Sequence, residues 1–323
     1  MKSPRTMAHR ASTPSSPCST APERKGEIVG IWGFLAGLLF AGAAQAIAGQ
    51  IVVTDDSGQA MRLAAPARRV ISLAPDLAEL VFAAGAGERL IAVAEHSDYP
   101  EAVRTLPRIG NAHGFDFERI VALQPDLVLG WAGGNAPQHL ARLKALGLRV
   151  YLSDIRRPED IASTLERLGT LTGHAATGFS AAQRLRERLR EIEQRFAGKR
   201  PLAVFYQVWG QPLYTLGGPH LVSAALKLCA AENAFGDLAA LAAVIEPESV
   251  LQRDPEVIVA AAEGAWRPAW LDRWKRWPGL RAVRREALLV VDADLLNRHS
   301  PRFVEGTARL CAALDAERAK ALE

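Results

Sequence analysis

The sequence lacks the short motifs that mark the common enzyme classes. It contains no Gly-x-Ser-x-Gly elbow, no Walker phosphate loop and no dinucleotide-binding fingerprint, and no pair of carboxylates is framed by a catalytic histidine. Its seven histidines form no His-x-x-His or Glu-x-x-His pair, so the ligand spacing of a zinc site is also missing. We therefore expect no catalytic residue, no metal site and no cofactor.

The sequence also has few cysteines, and its net charge after the N-terminal segment is close to zero. Of three cysteines in 323 residues, Cys18 precedes an apolar run at residues 28–48, and Cys229 and Cys311 follow it. An even pair in an exported protein suggests a disulfide, with two buried thiols as the alternative. After residue 46, 34 Lys and Arg residues face 33 Asp and Glu residues, so we predict no surface for nucleic acid.

The N-terminal segment predicts export. Five basic residues precede the apolar run, which ends in two small-x-small patterns at residues 44–46 and 46–48. We expect residues 1–48 to be a signal that is cleaved on export to the periplasm. An uncleaved membrane anchor is the alternative, because the run is about 20 residues long.

The rest of the chain alternates predicted strands and helices around one long helix. Apolar residues recur every three or four positions from Phe179 to Phe196, which predicts a helix over residues 175–196 with one apolar face. Because strand–helix alternation is typical of parallel sheets, we predict an N-terminal α/β lobe at residues 49–172 and a C-terminal α/β lobe at residues 199–323. The interlobe helix occupies residues 173–198.

Candidate binding residues follow the predicted strands. In open parallel sheets, ligands bind beyond the carboxyl ends of the strands. For some aromatic and polar residues a structural role is the alternative to ligand contact: core packing for Trp131, and hydrogen bonding within loops for Asn135 and Arg298. Tyr206 is predicted to lie in the core. Tyr214 is a further candidate. The residues that we predict to contact a ligand are His96, Tyr99, Trp131, Asn135, Trp209 and Arg298.

A short pattern occurs twice, 130 positions apart. Residues 118–129 and 248–259 match at their glutamates, prolines, acidic positions and apolar positions. One such helix–proline–strand unit in each half indicates that the two lobes are structural relatives. The repeat places Glu118 and Glu248 near helix N-termini, where a carboxylate is stabilised. They are either capping residues or a two-point contact with a two-fold symmetric membrane partner.

Several segments resemble the periplasmic substrate-binding proteins of ABC importers for vitamins and iron chelates, and the cobalamin-binding members most of all. The similarity extends over nearly all of residues 68–315. The segments that carry it are RVISLAP at 69–75, SDYP at 97–100, FERIVALQPDLV at 117–128, GGN at 133–135, ENAF at 232–235 and SPR at 300–302.

The resemblance implies a class III periplasmic binding protein, an α/β chain in which a single long interlobe helix joins two lobes with mainly parallel central sheets. It implies a monomer that captures cobalamin or a related corrinoid and delivers it to an inner-membrane ABC permease dimer with its ATPase subunits. By resemblance, Glu118 and Glu248 dock to the permease, and Cys229 and Cys311 form a disulfide.

Departures from the family pattern keep a second ligand class open. By resemblance, aromatic residues that cobalamin-binding relatives supply to the cleft fall at His96, Ala112 and Ala242 in this chain. The loss of stacking area weakens the binding of a flat corrin ring unless other aromatic residues compensate. A ferric siderophore, which requires a more cationic cleft, or haem, which requires an axial His or Tyr, is therefore the alternative ligand.

Overall fold

The N-terminal lobe is built on a parallel sheet. The computed structural model describes residues 50–264 and 266–320, so the predicted export signal lies outside the described residues. The elements of this lobe are β1 (Ile51–Thr54), β2 (Ala60–Leu63), β3 (Val70–Ser72), α1 (Pro75–Ala83), β4 (Leu90–Val93), β5 (Gly110–Asn111), β6 (Gly114–Phe115), α2 (Phe117–Ala122), β7 (Leu127–Trp131), α3 (Pro137–Ala145), β8 (Val150–Ser153) and α4 (Pro158–Thr172), with 3-10 helices at Gly87–Arg89 and Glu101–Thr105.

Four parallel strands pair in the order β4-β3-β7-β8. They are short apolar runs with buried residues on both faces, as expected for a parallel sheet covered by helices. Asp116 caps the N-terminus of α2, because its carboxylate accepts a hydrogen bond from the Arg119 N–H at 2.9 Å. Strands β1 and β2 form an antiparallel hairpin before this sheet.

The interlobe helix α5 spans Ala175–Phe196, as the periodicity predicts. Its apolar face is buried, and it crosses α4 at a contact between two glycines. A Cβ atom on Gly178 would lie 2.5 Å from the Leu165 carbonyl oxygen and 3.1 Å from the Gly169 Cα. The close approach of the two helices therefore requires glycine at position 178. The buried residues of the apolar face are Ala182, Leu185, Leu189, Ile192 and Phe196.

The C-terminal lobe combines parallel and antiparallel strands. Its described elements are β9 (Leu202–Gly210), β10 (Leu213–Leu216), α6 (Leu221–Leu228), β11 (Ala231–Asn233), β12 (Ala242–Val244), α7 (Pro247–Arg253), β13 (Val257–Ala262), α8 (Arg281–Arg284), β14 (Leu288–Asp292), α9 (Ala293–Leu296) and α10 (Phe303–Lys320), with a 3-10 helix at Leu271–Arg276. The main strand order is β12-β10-β9-β13-β14, and β11 also pairs with β9. The β9-β13-β14 and β11-β9 pairs are parallel, and β10 and β12 add antiparallel pairs.

One hydrophobic core runs through both lobes. It contains residues of β3 and α1 in the N-terminal lobe, the apolar face of α5, and residues of β9, α6 and α10 in the C-terminal lobe. Two smaller clusters cover the outer faces of the two sheets. Because α5 contributes to the same core as both sheets, the two lobes are joined by packing as well as by the chain.

The internal repeat is visible in the backbone. Gln124 and Asp254, 130 positions apart, both adopt the left-handed conformation, with φ angles of 45° and 43°. Each follows a helix and precedes a strand that pairs in parallel with the first strand of its lobe's core, β7 with β3 and β13 with β9. The prediction that the lobes are structural relatives agrees with this shared helix–turn–strand geometry.

Candidate ligand-binding site

A depression lies at the carboxyl ends of β3, β4 and β7, where the sheet topology places a ligand. Its volume is about 230 Å³, which is below the usual size of a small-molecule pocket. No Lys or Arg residue occurs among the side chains that line it. Those residues are Leu73, Ala74, Pro75, Ala94, Glu95, His96, Asn111, Ala112, His113, Trp131 and Asn135.

Trp131 forms one wall of this depression. It is the last residue of β7 and is partly buried. Its indole ring packs on Gly134, where only glycine fits, because a Cβ atom there would lie 1.9 Å from the ring. The edge of the ring contacts His299 of the C-terminal lobe, with ring centroids 5.8 Å apart. Trp131 is therefore both a lining residue and a contact between the lobes.

Asn135 fixes the loop that carries Trp131. Its side chain is buried, its Oδ1 accepts a hydrogen bond from the Trp131 N–H at 2.8 Å, and its Nδ2 donates to the Leu73 carbonyl at 3.2 Å. These bonds tie the ends of β7 and β3 together. Asn135 therefore acts as a loop hydrogen-bonder, which was the alternative role. Its predicted ligand contact stays a prediction.

His96 lines the same depression from the loop after β4. The residue is exposed and has a left-handed backbone with φ of 62°, an uncommon conformation for a non-glycine residue. The neighbouring Glu95 accepts a hydrogen bond from Asn111 at 2.7 Å, which joins this loop to β5. The exposed imidazole and the partly buried indole of Trp131 both line the depression, so both can contact a ligand bound there.

The C-terminal lobe presents an exposed apolar stripe that crosses three antiparallel strands. Tyr214 of β10 is the register partner of Trp209 on β9 and of Val244 on β12, so the three side chains lie on one face of the sheet. Their exposed fractions are 58% for Trp209, 37% for Tyr214 and 51% for Val244. Tyr206, earlier on β9, is buried as predicted and donates a hydrogen bond to Asn297.

The stripe begins next to the depression of the other lobe. A Cβ atom on Gly133, in the loop after β7, would lie 3.7 Å from a methyl carbon of Leu241, which immediately precedes β12. Trp131 and His299 make a second contact across the lobes. The depression and the stripe are therefore adjacent surfaces.

A buried histidine, His299, packs on Trp131, and the half-buried His220 packs on His299. His299 is 6% exposed, and neither of its ring nitrogens has a hydrogen-bond partner among the described residues. Burial lowers the pKa of His299 to about 4 and that of His220 to about 3, and the two rings are 5.5 Å apart. His220 caps α6 by accepting a hydrogen bond from the Val222 N–H. Both rings are therefore neutral at pH 7.

Tyr99 and Arg298 lie apart from the residues that line the depression. Tyr99 lines a second groove of about 900 Å³ along α5, and the Arg302 guanidinium lies 4.0 Å from the centre of its ring. Arg298 forms ion pairs with Glu79, Asp98 and Asp294. Ligand contact by either residue stays a prediction.

The two predicted docking glutamates occupy equivalent positions. Glu118 is the second residue of α2, Glu248 is the second residue of α7, and both are exposed. Neither caps its own helix: the α2 cap is Asp116, and α7 has no side-chain cap. Neither forms an ion pair with any residue in the described part of the chain. Both carboxylates are thus available to a partner.

The predicted disulfide is confirmed between Cys229 and Cys311, with Cα atoms 4.7 Å apart. It links the C-terminal end of α6 to α10. Within residues 50–264 and 266–320, no group of three or more His, Cys, Asp or Glu side chains is placed to hold a metal ion. None of the helices described in that part of the chain is long and apolar enough to cross a membrane.

The chain is similar to known binding proteins over most of its length. The periplasmic binding protein family model matches residues 70–295. The vitamin B12-binding protein of Vibrio cholerae serotype O1 is 35% identical over 250 residues, which cover 77% of this chain and 90% of that protein. The vitamin B12-binding protein of Yersinia pestis is 36% identical over 245 residues, covering 76% and 85% of the two chains.

Solved structures show the same similarity. The crystal structure of the periplasmic vitamin B12-binding protein BtuF of Vibrio cholerae superposes with a TM-score of 0.73 at 33% identity, covering 78% of this chain and 98% of that one. A periplasmic haem-binding protein from Pseudomonas aeruginosa superposes with a TM-score of 0.67 at 28% identity, covering 76% and 92%.

Proposed function

Since this chain belongs to the periplasmic binding protein family, we propose that it captures cobalamin or a related corrinoid in the periplasm and delivers it to an ABC permease. The observation that carries the proposal is the pair of adjacent surfaces, the depression with Trp131 and the stripe with Trp209. Similarity to vitamin B12-binding proteins over most of the chain supports the ligand class.

A corrinoid is too large for the depression alone and needs both surfaces. We infer that the ligand lies across the lobes, with one edge between His96 and Trp131 and one face against Trp209, Tyr214 and Val244. Exposed aromatic side chains supply large apolar contact areas to a flat macrocycle. In this arrangement Trp209 and Tyr214 compensate for the aromatic residues missing at His96, Ala112 and Ala242.

The proposed chain organisation follows the family. Residues 1–48 are a cleaved export signal, residues 49–172 and 199–323 are the lobes, and residues 173–198 are the interlobe helix. The mature protein acts as a monomer, carries its ligand unchanged and performs no catalysis. It docks through Glu118 and Glu248, one from each lobe, to the inner-membrane permease dimer with its ATPase subunits.

Haem is the second candidate ligand. The exposed imidazole of His96 is a possible axial ligand, and a haem-binding protein shares this fold at 28% identity. A ferric siderophore fits less well, because no cationic side chain lines the depression, and anionic chelates call for Arg or Lys.

Calorimetric titration of the protein isolated from the periplasm tests the proposal, with cyanocobalamin, haem and a ferric siderophore in parallel. We expect one-to-one binding of cyanocobalamin at submicromolar affinity and no heat from the other two ligands. Binding of haem alone, abolished by His96→Ala, would replace cobalamin by the second candidate.

Substitution of Trp209 tests the stripe. Trp209→Ala should weaken cyanocobalamin binding by on the order of tenfold or more, because it removes an exposed stacking surface. Phe179→Ala is the matched control, since Phe179 is 55% exposed but lies on α5. Equal affinity of the two variants would place the ligand away from the stripe.

A further inference from the structure

A buried glutamate joins the two lobes through two arginines. Glu79 lies on α1 of the N-terminal lobe, and its side chain is 2% exposed. It accepts hydrogen bonds from Arg298 Nη1 at 3.2 Å and from Arg302 Nε at 2.8 Å, both in the C-terminal lobe. Arg298 and Arg302 lie 219 and 223 residues after Glu79 in the chain. These contacts therefore exist only when the lobes are together.

Two more carboxylates complete the cluster around Arg298. Asp98, in the N-terminal lobe, accepts a hydrogen bond from Arg298 Nη1 at 2.6 Å. Asp294, four residues before Arg298, pairs with its Nη2 at 2.9 Å. Arg298 is thus held by three acids, two of them in the other lobe. Its side chain is 16% exposed, so the guanidinium has little freedom to change direction.

A neighbouring carboxyl group limits repulsion inside the cluster. Asp76 lies one helical turn before Glu79 on α1, and burial, together with the charge of Glu79, raises its pKa to about 7. At neutral pH a large share of Asp76 is therefore uncharged. Glu79 is therefore the main buried negative charge that pairs with Arg298 and Arg302.

The position of Glu79 separates it from the proposed ligand contacts. Glu79 and Arg302 line the 900 Å³ groove along α5, and neither lines the depression that contains Trp131. His299, which directly follows Arg298 in the chain, packs on Trp131 across the lobes. The ion-pair cluster and the interlobe wall of the binding site are thus parts of one segment, residues 298–302.

Hydrogen bonds between charged groups make the cluster resist separation of the lobes. Opening the junction would break the hydrogen bonds of Glu79 with Arg298 and Arg302, and charge-assisted hydrogen bonds of this kind are roughly twice as strong as neutral ones. The shared hydrophobic core allows small movements, whereas the ion pairs require defined donor and acceptor positions.

We propose that Glu79 is a positioning residue that binds Arg298 and Arg302 across the lobe junction and thereby holds the lobes at one spacing around a preformed cleft. The inference rests on the proposed function only in its effect on the ligand. Loss of the Glu79 charge widens the distribution of lobe spacings, whether or not the ligand is a corrinoid. It also lets a bound ligand escape faster, because His299 and Arg298 are no longer fixed against the N-terminal lobe.

Distance measurements between the lobes test the first effect. Nitroxide labels at Leu146→Cys and Arg276→Cys, both exposed and one in each lobe, report the lobe spacing by double electron–electron resonance in the protein isolated from the periplasm. Glu79→Gln should broaden the distance distribution clearly relative to the parent. Asp98→Asn, which removes one half-exposed arm of the cluster and leaves no buried charge unpaired, should broaden it less and keeps the test valid if Glu79→Gln fails to fold.

Glu256→Gln is the matched control. Glu256 is also a nearly buried glutamate that pairs with arginines, namely Arg200 at 2.9 Å, Arg285 at 3.4 Å and Arg281 at 4.0 Å, but all four residues belong to the C-terminal lobe. We expect its distance distribution to equal that of the parent. Parent-like distributions for both Glu79→Gln and Asp98→Asn, or equal broadening by Glu256→Gln, would overturn the inference.

Ligand release tests the second effect. Glu79→Gln should speed dissociation of cyanocobalamin by roughly tenfold, because His299 is no longer held against Trp131 and affinity differences between related complexes lie mainly in the dissociation rate. Glu256→Gln should leave that rate unchanged. If the parent binds no cyanocobalamin, the proposed ligand is wrong while the distance measurements still decide the role of Glu79. An unchanged release rate in Glu79→Gln with a broadened distribution would overturn the link between spacing and ligand retention.

Discussion

The two lobes share a scaffold and differ where a ligand would bind. Each contains a helix, a left-handed turn at Gln124 or Asp254, and a strand that pairs in parallel with the first strand of its core. At the carboxyl ends, the N-terminal lobe has a glycine loop that seats Trp131 and is tied by Asn135. The C-terminal lobe instead adds antiparallel strands that expose Trp209, Tyr214 and Val244.

This difference separates two kinds of surface. Under the proposed function, the repeated unit offers equivalent glutamates, Glu118 and Glu248, to a symmetric partner, whereas the unrelated additions face a ligand that has no such symmetry. A duplicated scaffold can therefore serve a two-fold permease and an asymmetric ligand at the same time, since function resides in the sites carried by the fold.

The largest expected effect concerns the repeated surface. Glu118→Ala/Glu248→Ala should abolish stimulation of the permease ATPase in reconstituted vesicles and leave ligand affinity unchanged, because both carboxylates are exposed and unpaired within the described residues. Each single variant should lose part of the stimulation. Glu101→Ala/Glu232→Ala, which removes one exposed glutamate from each lobe, is the control. Loss of ligand binding in the first variant would contradict the docking assignment.

The next effect concerns the disulfide between Cys229 and Cys311, which lies in the C-terminal lobe. Cys229→Ala/Cys311→Ala should lower the free energy of unfolding by about 4 kcal/mol, because the disulfide closes a long loop in the unfolded chain. Since one core runs through both lobes, denaturant unfolding should remain a single transition. Separate transitions for the two lobes would show that the shared core does not couple them.

A smaller effect concerns His299, which is buried in the C-terminal lobe. The pKa of His299 is about 4 in the folded protein against 6.5 in the unfolded chain, so below pH 6.5 the unfolded state binds a proton that the folded state does not. Stability should therefore fall as the pH drops from 6.5 to 4, by on the order of 3 kcal/mol from His299.

His299→Phe isolates this contribution. The His299 nitrogens have no hydrogen-bond partner among the described residues, so phenylalanine removes the titration without breaking a bond. The free energy of unfolding of the variant, measured by urea denaturation from pH 7 to pH 4, should fall less than that of the parent. Parallel curves for the two proteins would mean that the pKa of His299 is the same in the folded and the unfolded state.

Local patterns were sufficient to predict most of the regular structure. The apolar periodicity of residues 175–196 matches α5 at both ends, and the apolar runs between turn residues became the parallel strands. Strands β10 and β12 were not predicted as elements. The alanine-rich β12 has no strand signal of its own, and it forms because its backbone pairs with β10.

The candidate site was predictable in part. Chain position relative to strand ends brought His96 and Trp131 to one depression, but the same reasoning grouped Tyr99 with them although it lines the groove along α5. Loop direction after a strand depends on contacts with distant residues, and here Arg302 holds the Tyr99 ring. Val244 had no sequence signal, because its exposure follows from its register with Tyr214.

The sequence was enough for the α/β class, the two-lobed organisation, the interlobe helix and the equivalence of Glu118 and Glu248, because each periodic or repeated pattern lies within a short segment and needs no contact with a distant residue. Tertiary structure alone determined the burial of His299 against Trp131, the stripe across β9, β10 and β12, and the contacts of Glu79 with Arg298 and Arg302. These features join residues far apart in sequence, and they form only when packing of the core brings the lobes together.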